Sequence, residues 1–536
     1  MIIGLKIYFL LLIAVVAQYV ESANILAVFV FPAKSHFMMT KVLVKELVKR
    51  GHKVTFVTSY SIPEVKVHKE ILLDPPYNFG PDILETFNAQ SLFDLTSLRT
   101  IDFAKMLEVI GTKTTEYALQ NVEVQNLINN TETKGKFDLL LVEQFFQEAF
   151  LPLATKYEVP VISVATFGYA NYISQIMGVI TPYSHVPHGW LSYDDKMNFY
   201  ERITNTALSV YDDFFREVIY FPQQDELVKK YYSHLKLNIP SVSKLEKNIS
   251  LILLNSYIPL INPRPEVPGM IAVGGVHIEE PKPLPSDIKK FLDDGEKGVI
   301  YFNLGTNVRS ADLPAEKLEM FLQIFRKYKD QKILWKWEDE KIPQLPANVM
   351  VKKWLPQNDI LAHKNIKVFI THGGLMGTQE GVYHGVPMLG IPVYCDQYLN
   401  MRKAVKSNYA ITLNYQTMTK NDIDQALEQL LHNPSYMENV KKFSEIFRDR
   451  PMKALDTSMY WIEYVIKYKG APQLRSAGAD MPWYQFYLLD VIGFFIIIIF
   501  STLFSIVLLC KKLYSKKSNE KSKKEKITSS KSKKKN

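Results

Sequence analysis

The 536-residue sequence predicts an α/β protein of two open parallel-sheet halves, followed by one membrane-spanning helix and a lysine-rich tail. Three observations carry this. Short apolar, β-branched runs alternate with helical stretches, the pattern of parallel sheets covered on both faces. A Pro-rich stretch from Pro259 to Pro285 divides that pattern into two comparable parts. Near the end, Phe486 to Cys510 is an almost uncharged run of Phe, Ile, Leu and Val. Composition agrees: 47% apolar and 22% charged is a globular balance, which excludes wholesale disorder and collagen-like order. With only Cys395 and Cys510, a disulfide-built scaffold is excluded too.

Taken in order, residues 1–22 read as a secretory signal peptide. Lys6 precedes the apolar run Ile7 to Ala17, and small residues at Ser22 and Ala23 fit a cleavage site. The first half, residues 23–285, opens with a strand at Asn24 to Phe31 and a polar loop at Pro32 to His36. A helix is predicted from Phe37 to Arg50, with apolar positions at Val42, Leu43, Leu47 and Val48 and a cap at Gly51. Val54 to Thr58 completes a βαβ unit, and Asp138 to Val142 and Val159 to Ala165 are further buried strands. Long aromatic-rich stretches, Tyr77 to Ile110 and Phe167 to Phe221, lie between and after them. The second half, residues 286–485, predicts strands at Val299 to Leu304, Lys332 to Trp337, Val349 to Lys353, Lys367 to Thr371 and Pro387 to Ile391. Helices such as Glu316 to Tyr328 and Ile423 to Leu431 separate most of these, and return helices close the half. Ligands of such folds bind at the carboxyl ends of the strands, often between domains.

The span itself, residues 486–510, would reach roughly 37 Å as a helix, enough to cross a hydrocarbon core with tilt. Trp483, Tyr484 and Tyr487 sit where an interfacial aromatic belt belongs, and Lys511 and Lys512 where a cytosolic flank belongs. The tail, residues 511–536, carries twelve lysines against Glu520 and Glu525. Its net of +10, reduced by Asp490 in the span, is the whole formal net charge of +9, and residues 23–485 sum to zero. No basic nucleic-acid-binding domain follows from the total. The expected topology is a lumenal body, a single type I span in the endoplasmic reticulum membrane and a cytosolic tail. Lys533 and Lys534 match a dilysine retrieval address, and Asn129 and Asn248 open glycosylation sequons.

The strongest local signal begins at Trp354-Leu355-Pro356-Gln357 and continues through Thr371-His372-Gly373-Gly374-Leu375-Met376-Gly377-Thr378-Gln379-Glu380 to Asp396-Gln397. Its middle is a strand running into a Gly-rich turn and a helix, a recurring way to hold phosphate with backbone N–H groups and the helix dipole. The upstream indole and amide suit a base, and the downstream carboxylate and amide suit hydroxyls. Neither a Walker A lysine motif nor a G-x-G-x-x-G is present, which argues against an NTPase or a Rossmann dehydrogenase.

This string resembles the signature of the membrane-bound UDP-glycosyltransferases, and the resemblance extends from signal peptide to basic tail. It implies the GT-B fold, two Rossmann-like domains facing across a cleft. It also implies inverting, metal-independent transfer of a hexose from a UDP-sugar to a small lipophilic acceptor, with the UDP-sugar as co-substrate and no cofactor. By the same resemblance Trp354 would stack on uracil, Gln357 would pair with its edge and Glu380 would bind the ribose. Thr306, Thr371, His372, Gly373, Gly374 and Gly377 would surround the phosphates, and Asp396 and Gln397 the sugar. His36 matches the family's catalytic base, and histidine's ordinary pKa near 6.5 suits proton removal from an alcohol or phenol at neutral pH. Two positions depart from vertebrate members. Glu143 replaces an aspartate that would orient the histidine, and Met376 replaces an asparagine. The pattern is closer to arthropod members, which points to glucose over glucuronate. An inactive relative, serving as a ligand-binding or partner subunit, is the alternative that Glu143 and Met376 keep open. The resemblance admits homo- or hetero-oligomers. Phe87, Phe93, Phe103, Met106, Phe167 and Tyr172 are read as core, with a greasy acceptor pocket as their other use.

Overall fold

The computed structural model describes residues 22–339, 342 and 344–532. The signal peptide before Ser22 and the Lys533-Lys534 address lie outside the described residues. The body contains two wholly parallel sheets. The first has seven strands: β1 (Asn24–Phe29), β2 (Lys53–Thr58), β3 (Lys69–Leu72), β4 (Leu139–Glu143), β5 (Val161–Ala165), β6 (Leu251–Leu254) and β7 (Met270–Ala272). Their spatial order is β3-β2-β1-β4-β5-β6-β7. The second has six: β8 (Val299–Asn303), β9 (Lys332–Lys336), β10 (Val349–Lys352), β11 (Ile366–Thr371), β12 (Met388–Gly390) and β13 (Ala410–Thr412), in the order β10-β9-β8-β11-β12-β13.

Why these segments are strands is plain from burial. Every residue of β4, β5, β6 and β8 is buried, as expected where helices cover both faces of a parallel sheet. Alternate residues of β1 enter different cores, Leu26 and Val28 on one face and Ile25, Ala27 and Phe29 on the other. Four strands escape the sequence reading. β3 and β13 are short edge strands with exposed residues, and β6 is a four-residue apolar run with no alternation. β7 lies inside the Pro-rich stretch, which is therefore not only a connection: Met270 to Ala272 add the last strand to the first sheet.

The first helix also corrects the sequence reading. It spans Lys34–Lys49, so His36 stands in its first turn and not in a loop. The N–H of Phe37 is the first to find a carbonyl one turn back, that of Ala33, at 3.0 Å. Apolar periodicity registers only from there, because the preceding N–H groups have no partner within the helix.

In both sheets the chain reverses direction of build-up between its first and fourth strands, β1/β4 and β8/β11. Such switch points leave a crevice beyond the carboxyl ends of the strands. The halves are fastened to each other at several places. Phe93, from the first half, stacks on Tyr415 at 4.8 Å inside the core of the second. Met376, from the second, is buried in a core of the first. Gln379 is wholly buried and donates to the Asn255 carbonyl while accepting from the N–H of Gly275. The late helix Ala454–Lys467 packs on the helix 34–49, burying Met459, Ile462 and Val465 in the first half's core. Arg50 reaches Asp456 and Glu463 on it, both at 3.2 Å. The last of the return helices thus packs against the half on which the chain began.

Residues 477–532 form a separate unit. Its helix Leu489–Ser532 contains a stretch of mean hydropathy 2.9 and is long and apolar enough to cross a membrane. It starts three residues later than expected. Trp483–Phe486 is a short helix of its own, and Leu488, at φ 56°, turns the chain between the two.

Candidate active site

Between the two switch points lies a cavity of about 420 Å³. The strands flanking it end in polar side chains: Glu143 closes β4, Thr166 follows β5, Asn303 closes β8 and Thr371 closes β11. A polar residue that ends an otherwise apolar buried strand is the signal by which Thr166 and Asn303, missed in the sequence, could have been found.

On the first-half side, His36 Nδ1 lies 2.5 Å from Glu143 Oε1. The Thr166 hydroxyl donates to the same carboxylate oxygen at 2.7 Å and lies 2.8 Å from Nδ1. Glu143 is only 4% exposed and sits behind the histidine, outside the cavity wall. The imidazole is wedged between Phe31 and Phe145, with ring centroids 4.7 and 4.8 Å away. With Nδ1–H donating to the carboxylate, Nε2 is the nitrogen left to the cavity. Such an arrangement can accept a proton at Nε2 while the carboxylate stabilises the imidazolium.

On the second-half side, the turn after β11 is shaped by close packing. Gly305, at φ 93°, lies under the His372 ring, where a Cβ would come within 2.6 Å of it. The imidazole is therefore clasped between the two turns that follow β8 and β11. Its Nδ1 is buried without a hydrogen-bond partner, and burial, with the nearby Lys336 ammonium, pushes its pKa down to about 4. The ring is thus neutral near pH 7. Thr371 is fully buried and its hydroxyl accepts from the N–H of Gly373 at 3.2 Å, so it shapes the turn. Gly374 begins the helix Leu375–Tyr383 with no side-chain cap, leaving its first N–H groups open to an anion. Thr306 lines the cavity in the turn after β8.

Beyond this turn the polar groups are tied to one another. Gln357 donates to Glu380 at 2.6 Å, and its oxygen accepts from Asn303 at 2.7 Å and from the Tyr301 hydroxyl at 3.2 Å. Gly377 lies beside Gln357 on the cavity wall. His277, also missed in the sequence, is buried with both ring nitrogens unpartnered, its Nε2 3.5 Å from Glu380. Trp354 is 54% exposed, with the Lys34 ammonium 5.0 Å from its ring centre. Asp396 accepts from Asn400 at 2.8 Å, and burial pushes its carboxyl up to about 6. Gln397 is 3% exposed and its oxygen accepts from the N–H groups of Val393 and Tyr394. Only its NH₂ is left for a ligand.

Eleven of the thirteen residues expected from the sequence line this cavity; Glu143 and Gly373 stand directly behind His36 and His372. Among the described residues no group of three His, Cys, Asp or Glu side chains converges as for a metal ion. Much of the remaining first-half wall is apolar and comes from the aromatic-rich stretches. Met106, Phe167 and Tyr172 line it, whereas Phe87, Phe93 and Phe103 do not.

The chain is similar to known proteins over most of its length. A family model described as "UDP-glucoronosyl and UDP-glucosyl transferase" matches residues 26–524. The chain is 36% identical over 486 residues to UDP-glycosyltransferase UGT5 of Dactylopius coccus, covering 90% of each. It is 34% identical to UDP-glucosyltransferase 2 of the same insect, over 95% of this chain and 96% of that one. It is 31% identical to UDP-glucuronosyltransferase 2B7 of Homo sapiens, over 91% and 93%. Among solved structures, a calicheamicin glycosyltransferase superposes with a TM-score of 0.53 at 16% identity, covering 83% of this chain and 98% of that one.

Proposed function

The chain belongs to the UDP-glucuronosyl and UDP-glucosyl transferase family and carries the GT-B fold, and from that premise we propose that it moves glucose from UDP-glucose to a hydroxyl of a lipophilic acceptor, with His36 as general base. The single observation that carries the mechanism is the Glu143 carboxylate 2.5 Å from His36 Nδ1. His36 Nε2 takes the acceptor's proton as its oxygen attacks the anomeric carbon. The bond from that carbon to the diphosphate breaks and UDP leaves, so an α-linked donor gives a β-glycoside. UDP is a good leaving group when its charge meets fixed donors, here the N–H groups that open the helix 375–383 and the turns around His372.

The side chains divide the remaining work. Trp354 stacks on the uracil. Gln357 and Glu380 exchange their mutual hydrogen bond for bonds to base edge and ribose. Asp396 and the NH₂ of Gln397 receive sugar hydroxyls. Glucose is favoured over glucuronate because neither lysine lining the cavity is free to meet a carboxylate: Lys336 is held by the Gly305 carbonyl and Glu338, and Lys282 by Glu279. The apolar wall favours a phenol or other greasy alcohol. We place the body in the lumen of the endoplasmic reticulum, held by the helix 489–532.

The test incubates membranes carrying the full chain with UDP-glucose, UDP-glucuronate or UDP-N-acetylglucosamine and a panel of phenols. Acceptor-dependent UDP release, greatest with UDP-glucose and lost in His36→Ala, is expected. Release unchanged in His36→Ala refutes the mechanism. Binding of UDP without turnover of any donor refutes the enzyme and favours an inactive ligand-binding relative.

A further inference from the structure

One part of the acceptor wall is not apolar. The helix Phe199–Phe215 turns Ser209 and Asp212 inward on one face, three residues apart and therefore neighbours on it. Asp212 Oδ2 accepts from His188 Nε2 at 3.3 Å, while His188 Nδ1 accepts from the N–H of Trp190. The NH₂ of Asn171 donates to the Ser209 hydroxyl at 3.0 Å. Asn171 Oδ1, on a residue only 3% exposed, has no partner at all. Asn171, His188 and Asp212 all line the cavity. A buried carbonyl oxygen without a donor is uncommon and costly unless something supplies one.

None of these groups is a hydrogen-bond or ring partner of His36. A row of rings leads from His36 to Phe145, Phe167 and Tyr172, with successive centroids 4.8, 5.4 and 6.2 Å apart, and Asn171 precedes Tyr172 in the chain. A π-helical stretch, Arg216–Tyr220, follows the helix directly and fixes Arg216 against the Tyr172 ring at 3.9 Å, holding that end of the wall rigid.

We propose that Asn171 and Asp212 form a distal acceptor subsite that accepts a hydrogen bond from a second polar group of the acceptor, remote from the hydroxyl that is glycosylated. The acceptor class is thus an elongated aromatic molecule with a hydroxyl at each end and an apolar middle. The inference rests on the reading of this cavity as the acceptor site. A site built to receive a hydroxyl discriminates strongly against the analogue lacking it, because its own buried groups are then left unpaired.

The test uses the full chain in membranes with UDP-glucose and two matched acceptors, 4,4′-dihydroxybiphenyl and 4-hydroxybiphenyl. The diphenol should show a kcat/KM at least about tenfold higher, mostly through KM. Asp212→Asn and Asn171→Ala should each lower the diphenol value at least about fivefold more than the monophenol value. Equal efficiency with the two acceptors in the native chain overturns the subsite while leaving the transferase reading intact, since the monophenol still turns over. A parallel loss for both acceptors in both variants also overturns it, because the residues then only support the wall. Failure of every phenol with every donor defeats the transferase reading itself, and the inference with it.

Discussion

The two walls of the cavity are organised on different principles. On the second-half side, proposed for the donor, most polar side chains already have a partner: Gln357 holds Glu380 and Asn303, Gln397 holds two backbone N–H groups, and Asp396 holds Asn400. On the first-half side, proposed for the acceptor, the dyad of His36 and Glu143 is embedded among aromatic rings, and Asn171, His188 and Asp212 form a second, separate polar patch. A nucleotide of fixed shape can be met by groups locked in advance, so little freedom is lost when it binds. Variable lipophilic molecules are better met by rings that exclude water without dictating direction.

The largest test of this division is His36→Ala. Loss of a general base should lower kcat by about 10²–10⁴-fold. If the walls are independent, the Kd for UDP measured by calorimetry stays within about twofold. Glu143→Gln keeps the shape but removes the charge facing the imidazolium; kcat should fall by about tenfold to a hundredfold, again with UDP affinity preserved. Trp354→Ala should do the reverse. Loss of a base-stacking ring costs about 1–3 kcal/mol, so KM for the UDP-sugar rises roughly five- to a hundredfold while acceptor KM hardly moves. Rise of both KM values together would break the comparison, and Lys34, which faces Trp354 from the helix carrying His36, would be the reason.

The smallest effect is the pH response of Asp396. Its carboxyl is raised by burial to about 6, so the folded chain holds a proton that the unfolded chain releases near pH 4. Its ionisation therefore costs stability as pH rises from about 4 to 6, and Asp396→Asn should flatten the denaturation midpoint over that range. For binding the sign reverses if the carboxylate receives sugar hydroxyls. The advantage of UDP-glucose over UDP should shrink several-fold as pH falls from 7.5 to 5 in paired titrations.

How far the sequence could be read follows the same division. The donor wall comes largely from one stretch, Trp354 to Gln397, whose residues are near in sequence because they sit on one turn and the ends of adjacent strands. Most strands of both sheets were legible as apolar, β-branched runs; β7 was not, although Pro268, Gly269 and Gly274 bound it, because it lies in a Pro-rich stretch that reads as a connection. The acceptor wall was not, because its rings come from distant segments, and the same residue types fill the core: Phe167 lines the cavity, whereas Phe93 is buried in the other half. Nothing in local spacing separates the two. His277 was missed for a related reason, since a lone polar residue in a Pro-rich connection acquires meaning only from what it faces.

The return of the helix Ala454–Lys467 to the half on which the chain began has a practical consequence for protein engineering. Its Met459, Ile462 and Val465 fill the core beside the helix that bears His36, and Asp456 and Glu463 meet Arg50. A chimaera made by one crossover in the Pro-rich connection would pair an acceptor half from one parent with a clasp from another. Exchanging acceptor preference cleanly requires two crossovers, so that residues 454–467 travel with the half they hold.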